Sequence, residues 1–420
     1  MLDLFNNTID PDTGYARGDI LKSSFDEGLK FANAVKIIGE RMKTCGEDKF
    51  YIFTGNIRNN PLTSADLGLL SEEWIGQSIY KEDLREVAIK HVSGNIDTDA
   101  VAVFNRTSAA NVAIALALGG EGKTMISMAP KKQQHPSTNR GAVLSRSEFI
   151  CVENAEEMKA LNIDWSKAFC HITSVTSELL YFNDEELKAG ISVAKERGIT
   201  VVVDDAYGAR IRPIILGFTP SLQAGADVVV TNNDKAGLNG PRAGIMVGKA
   251  DLVGMIYAKG CELGLEARAP ISLAVYRSLL AFDSSDLLEE VQVGEEIYKE
   301  LKKTLGNKNV GKSLLGPEVT AETVLKMAIE RAGLTAQDTQ LVPSEASAAL
   351  GMKLLAMYGI VTTNACGMPG AKISVRLKTN RKILNAVGGA AKVAEMFSVG
   401  LDEVAKYVND KERVRKIILG

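Results

Sequence analysis

Lys235 stands in TNNDKAGLNGPRAGIMVG (residues 231–248), between the apolar run ADVVVT and a turn rich in Gly and Pro. A single lysine is ordinarily a solvated surface residue. Placed where a strand ends and the backbone turns tightly, it can instead present an amine for covalent chemistry. Asp204 and Asp205 end another apolar run in VVVDDAYGAR (201–210), and a carboxylate there is costly unless a cation meets it. In FNRTSAAN (104–111), Thr107 and Ser108 lie where a strand passes into a helix. Their hydroxyls and the free N–H groups of a helix start suit an anion, phosphate above all. The bland alternative is a Ser/Thr N-cap with no ligand.

The elements that must position these groups follow from the hydrophobic pattern. From about residue 100, short apolar runs alternate with helical stretches: VAVF, AANVAIALAL, TMISMAP, NDEELKAGISVAKERG and ITVVVDDAYG. Asn183 with Glu186 predicts a capping box, and Gly198 a C-terminal stop. Continuous apolar strands between helices predict an α/β fold, a mostly parallel sheet covered on both faces. Such sheets gather ligands at the carboxyl ends of their strands, where all three groups above would meet. Residues 1–65 read as an N-terminal arm and helix, 66–285 as the large domain, and 286–420 as a small C-terminal domain. Within the last, 359–378 reads as two strands around a loop.

The cation at Asp204 has two candidates, Mg²⁺ and the protonated nitrogen of a pyridine ring. Magnesium with a P-loop fails: GGEGKT (119–124) has Ala117 where a Walker A needs glycine, and it follows a helix and opens a strand. It reads as a helix C-cap and turn. A phosphate-binding turn, then a strand-end acid, then a strand-end lysine is the order expected for pyridoxal phosphate. The lysine forms a Schiff base with the aldehyde, and the acid keeps the ring nitrogen protonated.

FNRTSAAN, HPS, VVVDDAYGAR, DKAGLNGPRAG, GLEAR and CGMPGAKISVRL, in this order, resemble the archaeal branch of SelA-like enzymes. These are related to bacterial L-seryl-tRNA(Sec) selenium transferase among fold-type I pyridoxal phosphate enzymes. The resemblance spans roughly residues 48–378. It implies a seven-stranded-type sheet flanked by helices, a small C-terminal α+β domain, and a homodimer or larger assembly. It assigns Lys235 to the Schiff base, Asp204 to the ring nitrogen, and Thr107 and Ser108 to the phosphate. His135 falls where this fold stacks a ring on the cofactor, and Tyr207 where a tyrosine donates to its 3′ oxygen. Arg268 and Arg376 are candidates for gripping a substrate carboxylate, with surface ion pairs as the alternative. Asn232 replaces the serine that the family places near the phosphate, with Thr231 as a substitute donor.

The function expected is that of a pyridoxal phosphate enzyme acting on a small amino acid or amino-acid-like substrate. Its amine would displace Lys235, and a β-substituent would be eliminated or replaced. Aminotransferase chemistry, a selenium or sulfur transferase on seryl- or phosphoseryl-tRNA, and a non-catalytic cofactor-binding regulator are the alternatives. The net charge of −3 and a pI near 5.9 give no footprint for nucleic acid. No basic tRNA-binding region is evident in residues 1–47. The N-terminus lacks a signal peptide's basic start and apolar stretch, and no run approaches the length of a membrane helix. Five scattered cysteines and three histidines argue for reduced thiols in a cytoplasm and against a metal site.

Overall fold

The computed structural model describes residues 2–10, 13–367, 369 and 371–420. Two compact units emerge, one from residues 1–56 with Leu288–Gly420, the other from Ile57–Leu287.

The unit Ile57–Leu287 carries all the strand-end groups. Its elements in chain order are α1 (Lys81–His91), β1 (Asp99–Phe104), α2 (Thr107–Leu118), β2 (Thr124–Met128), α3 (Pro136–Ser145), β3 (Glu148–Val152) and β4 (Ala168–Thr173). There follow α4 (Asp184–Glu196), β5 (Val201–Asp204), β6 (Val228–Asn232), β7 (Gly244–Lys249), α5 (Ala250–Cys261) and α6 (Ala269–Leu280). The seven strands form one sheet in the order β1-β7-β6-β5-β4-β2-β3. Only β7 is antiparallel to its neighbours β1 and β6, so the remaining six strands point the same way.

The apolar strands bury both faces. Val201 and Val203 of β5 pack into a core with Leu84 and Ile89 of α1, Leu187 and Ile191 of α4, and Leu273 and Val275 of α6. Val202 points the other way, joining Phe104, Ala110, Ile114, Met125, Phe169, Val230 and Ile256 under α2 and α5. With a side-chain period of two, Asp204 shares the face of Val202 and so lies beneath α2.

Local signals act as the sequence predicts. Asn183 caps α4 in a reciprocal box with Glu186, and Gly198 follows it at φ +71°. Gly119 ends α2, and the GGEGKT segment turns into β2.

In the other unit, the helices Ser24–Cys45, Ala321–Arg331, Pro343–Tyr358, Ala390–Ala405 and Lys411–Leu419 surround a core that includes Leu325, Leu350, Leu354, Phe397 and Leu401. A small antiparallel sheet joins Gly311–Ser313, Gly316–Val319 and Val375–Arg376. The expected strands of 359–378 are Ile360–Val361 and Val375–Arg376. They belong to different sheets, with a short helix, Thr363–Cys366, after the first. Met368 and Gly370, in the loop of that motif, lie outside the described residues. No helix among the described residues is long and apolar enough to cross a membrane.

Candidate functional site

Asp204 ends β5 almost fully buried, at 4% exposure. One carboxylate oxygen accepts from Asn111 Nδ2 at 2.8 Å and the other from the Ala206 amide at 3.1 Å. Both donors are neutral, and no ion pair satisfies the carboxylate among the described residues. Asn111 lies one turn into α2, four residues after Thr107, which carries its amide over the end of β5. Its Nδ2 also reaches Ser137 Oγ at 3.2 Å, and its Oδ1 faces His171 Nε2 at 3.5 Å. His171 is fully buried on β4, and burial pulls its imidazole below the ordinary range while the Asp204 charge pushes it back up. A neutral imidazole with its proton on Nε2 faces the Asn111 carbonyl and so keeps the amide's N–H groups turned to Asp204. Beside this network the Oγ1 of Thr173, the register partner of Asp204, is buried without a hydrogen bond among the described residues. Asp205 points away to Ser174, and burial raises its pKa.

Lys235 follows the end of β6 by three residues and is half-buried. Its Nζ lies 4.9 Å from the ring centroid of Tyr207, a buried residue three places beyond Asp204. The turn is built from two left-handed residues in sequence, Ala236 at φ +52° and Gly237 at φ +79°. For alanine that conformation is costly, so neighbouring contacts must hold it. β5 and β6 are adjacent parallel strands, so their ends, carrying Asp204 and the Lys235 turn, lie side by side.

β1 ends at the same edge of the sheet, three strand spacings from β5, roughly 14 Å away. α2 starts there with no side-chain cap on its first turn, and Thr107 and Ser108 are half-buried. The start of β7 passes so close that a Cβ on Gly244 would lie 2.8 Å from the backbone of Arg106 and Thr107. Arg58 and Arg242 flank one buried carboxylate, Asp234, which accepts from Arg58 Nε at 2.8 Å and lies 4.0 Å from Arg242 Nε, and the Arg106 charge acts on Arg242. Burial, and then the charges of Arg58 and Arg106, hold the Arg242 guanidinium below its usual pKa. Three mutually repelling guanidinium charges with one carboxylate among them, at an uncapped helix start, make a field that favours a multiply charged anion.

The remaining sequence candidates fall as follows. His135 is exposed and caps α3, its Nδ1 accepting from the Ser137 amide at 3.1 Å. It joins the Asp204 network through Ser137 Oγ at 2.7 Å. Asn232 is committed within the protein, accepting from Arg210 Nη2 at 2.7 Å and donating to the Ala206 carbonyl at 2.6 Å. Thr231 Oγ1 accepts from Arg210 Nη1 at 3.2 Å. Arg268, at 64% side-chain exposure, lies 3.7 Å from Glu73 and 3.9 Å from Glu266, which is the surface ion-pair alternative. Arg376 is buried in the strand Val375–Arg376 of the other unit.

Sequence reasoning passed over Asn111, His171, Arg210, Arg58 and Arg242. Asn111 had a usable signal, since it shares a helix face with Thr107 at i+4. Arg242 sits in the quoted GPRAG. His171 and Arg58 carried none, because their meaning depends on which strand or helix start lies beside them.

A family model described as the UPF0425 C-terminal domain matches residues 322–381. The UPF0425 pyridoxal phosphate-dependent protein of Methanothermobacter thermautotrophicus is 32% identical over 402 residues, covering 96% of this chain and 100% of the relative. Its namesake from Methanosphaera stadtmanae is 31% identical over 360 residues, covering 84% of this chain and 88% of the relative. Among solved structures, a SepCysS–SepCysE N-terminal domain complex aligns with a TM-score of 0.54 at 16% identity, over 87% of this chain and 98% of that one. Aspartate aminotransferase from Thermotoga maritima aligns with a TM-score of 0.53 at 15% identity, over 88% and 97% of the two chains. At such identities the likeness is one of fold, and it is the fold-type I architecture that the sequence resemblance implied. With a third of its residues shared along the whole length of the Methanothermobacter relative, the chain belongs to the UPF0425 pyridoxal phosphate-dependent proteins.

Proposed function

We propose that the protein is a pyridoxal phosphate enzyme that activates the Cα of a small amino acid or amino-acid-like substrate. The observation that carries this is a buried strand-end carboxylate, without an ion-pair partner among the described residues, beside a strand-end lysine whose amine lies over the Tyr207 ring. The residues fit the group. The uncapped start of α2, with Thr107, Ser108 and the Arg106 and Arg242 charges, suits its phosphate. Asp204 suits the ring nitrogen and Lys235 the aldehyde.

Pyridoxal phosphate supplies, when bound, an aldehyde that captures an amine and a ring that draws electrons from a bond at the substrate Cα. Lys235 is the residue that would hold its aldehyde, and its free amine would serve as the base that takes the Cα proton. Asp204 would hold a proton at the ring nitrogen, and Asn111 keeps its carboxylate aimed. Tyr207 supports the amine from below. His135 offers an imidazole fixed by its cap on α3. Loss or replacement of a β-substituent is the outcome favoured by the SelA-like resemblance.

Loading the purified protein with pyridoxal phosphate, reducing with borohydride and mapping the peptides tests the core of this reading. The adduct is expected on Lys235 and is expected to vanish in Lys235→Ala; an adduct on another lysine refutes the assignment. With a panel of β-substituted amino acids, a keto acid and ammonia identify elimination, whereas stoichiometric pyridoxamine phosphate identifies an aminotransferase.

A further inference from the structure

We propose that Arg210 is the positioning residue that clamps the Lys235 turn to the loop leaving Asp204. Arg210 is 1% exposed and has five N–H donors, each of which meets an acceptor. Nε donates to the Ala236 carbonyl at 3.2 Å. Nη1 meets Thr231 Oγ1 at 3.2 Å and His91 Nε2 at 3.3 Å. Nη2 meets the Ala206 carbonyl at 3.4 Å and Asn232 Oδ1 at 2.7 Å. One rigid fork therefore ties three places together: the loop two residues after Asp204, the end of β6, and the residue after Lys235.

Each contact has a consequence for the amine. Ala236 is in the left-handed region, which alanine does not hold without support, and Arg210 grips its carbonyl. Asn232 closes a second link, since its Nδ2 donates to the same Ala206 carbonyl that Arg210 reaches. His91 accepts from a guanidinium only when neutral, and burial, then the Arg210 charge itself, pushes its pKa down to about 3. An edge-on contact with Phe282, 4.9 Å between centroids, fixes the imidazole. The clamp thus sets the spacing between amine and acid, which the two strands alone leave to the turn after β6. Lysine in its place keeps the charge but has three donors on a point ammonium and cannot span these acceptors.

The proposal rests on Lys235 as the cofactor-bearing residue, so its test includes a measurement made without cofactor. Hydrogen exchange on the full-length apo protein is compared for wild type, Arg210→Lys and Thr231→Val, the last being near-isosteric and removing one acceptor. Exchange in residues 233–240 is expected to quicken in Arg210→Lys, and less so in Thr231→Val, with the rest of the sheet unchanged. Affinity for pyridoxal phosphate is expected to weaken about tenfold in Arg210→Lys, the order of one charge-assisted hydrogen bond. The pH midpoint of the loaded protein's visible absorption should also move. Wild-type exchange, affinity and midpoint in both variants would overturn the proposal, as would exchange quickened evenly across the sheet. A wild type that takes the cofactor on another lysine overturns the reading of Lys235, whatever the exchange result shows about the clamp.

Discussion

Gly244→Ala tests the phosphate end of the site through a single methyl group. The new Cβ would lie 2.8 Å from the Arg106 carbonyl carbon, the Arg106 carbonyl oxygen and the Thr107 nitrogen, where ordinary contact begins at 3.4 Å, so something must move by about 0.6 Å. All three atoms are backbone, and no side-chain rotation relieves them. β7 is hydrogen-bonded along both edges, to β1 and β6, so the lighter partner is the uncapped start of α2. Overpacking of this kind costs about 1–3 kcal/mol. Expressed at the phosphate, that is a loss of roughly 5- to 150-fold in affinity. Dissociation constants for pyridoxal phosphate and for pyridoxal, which lacks the phosphate, are measured on apo protein alongside thermal melting. The loss should fall on pyridoxal phosphate and spare pyridoxal. Equal losses for both ligands, or undiminished phosphate affinity at unchanged melting temperature, would refute the placing of the phosphate at this helix start.

Arg58→Ala removes the nearer of the two arginines beside Asp234, leaving a carboxylate of 3% side-chain exposure facing Arg242 at 4.0 Å. Because Arg58 itself is 38% exposed, the cost should be about 1 kcal/mol, read as a lower melting temperature with weaker cofactor affinity, and Arg58→Lys should recover part of it. His91 adds a pH dependence. Its folded pKa, about 3, lies below the ordinary 6.5, so its contribution to stability is present above about 6.5 and is lost as pH falls towards 3. His91→Asn should flatten the acid side of the melting-temperature profile, and an unchanged slope between those pH values would count against a neutral imidazole held by Arg210.

Much of the architecture was legible because it is written in local periodicity. Continuous apolar runs between amphipathic helices demanded a buried, mostly parallel sheet, and the Asn183 box and Gly198 stop marked α4 to the residue. Chain order alone brought Thr107, Asp204 and Lys235 to strand ends. The antiparallel course of β7 carried no such mark, since an apolar strand reads alike in both directions. Asn232 is the instructive divergence. By position it was a donor for phosphate, but its Nδ2 donates to the Ala206 carbonyl at 2.6 Å while Arg210 takes its oxygen at 2.7 Å. Arg268 looked equally suited to a substrate or to an ion pair; Glu73 and Glu266 occupy its surroundings.

The sequence by itself determined which residues could do chemistry and that they would sit at the ends of buried strands. A strand's hydrophobic period and a helix's first turn are properties of neighbours in the chain. Only the tertiary structure decided that Asn111 aims Asp204, that Arg58 and Arg106 both bear on Arg242, and that Arg210 binds the lysine's turn to the acid's loop. Those contacts join residues tens to nearly two hundred positions apart. Side-chain hydrogen bonds and charge clusters form wherever the sheet order delivers their partners, and that order is set by packing the whole core.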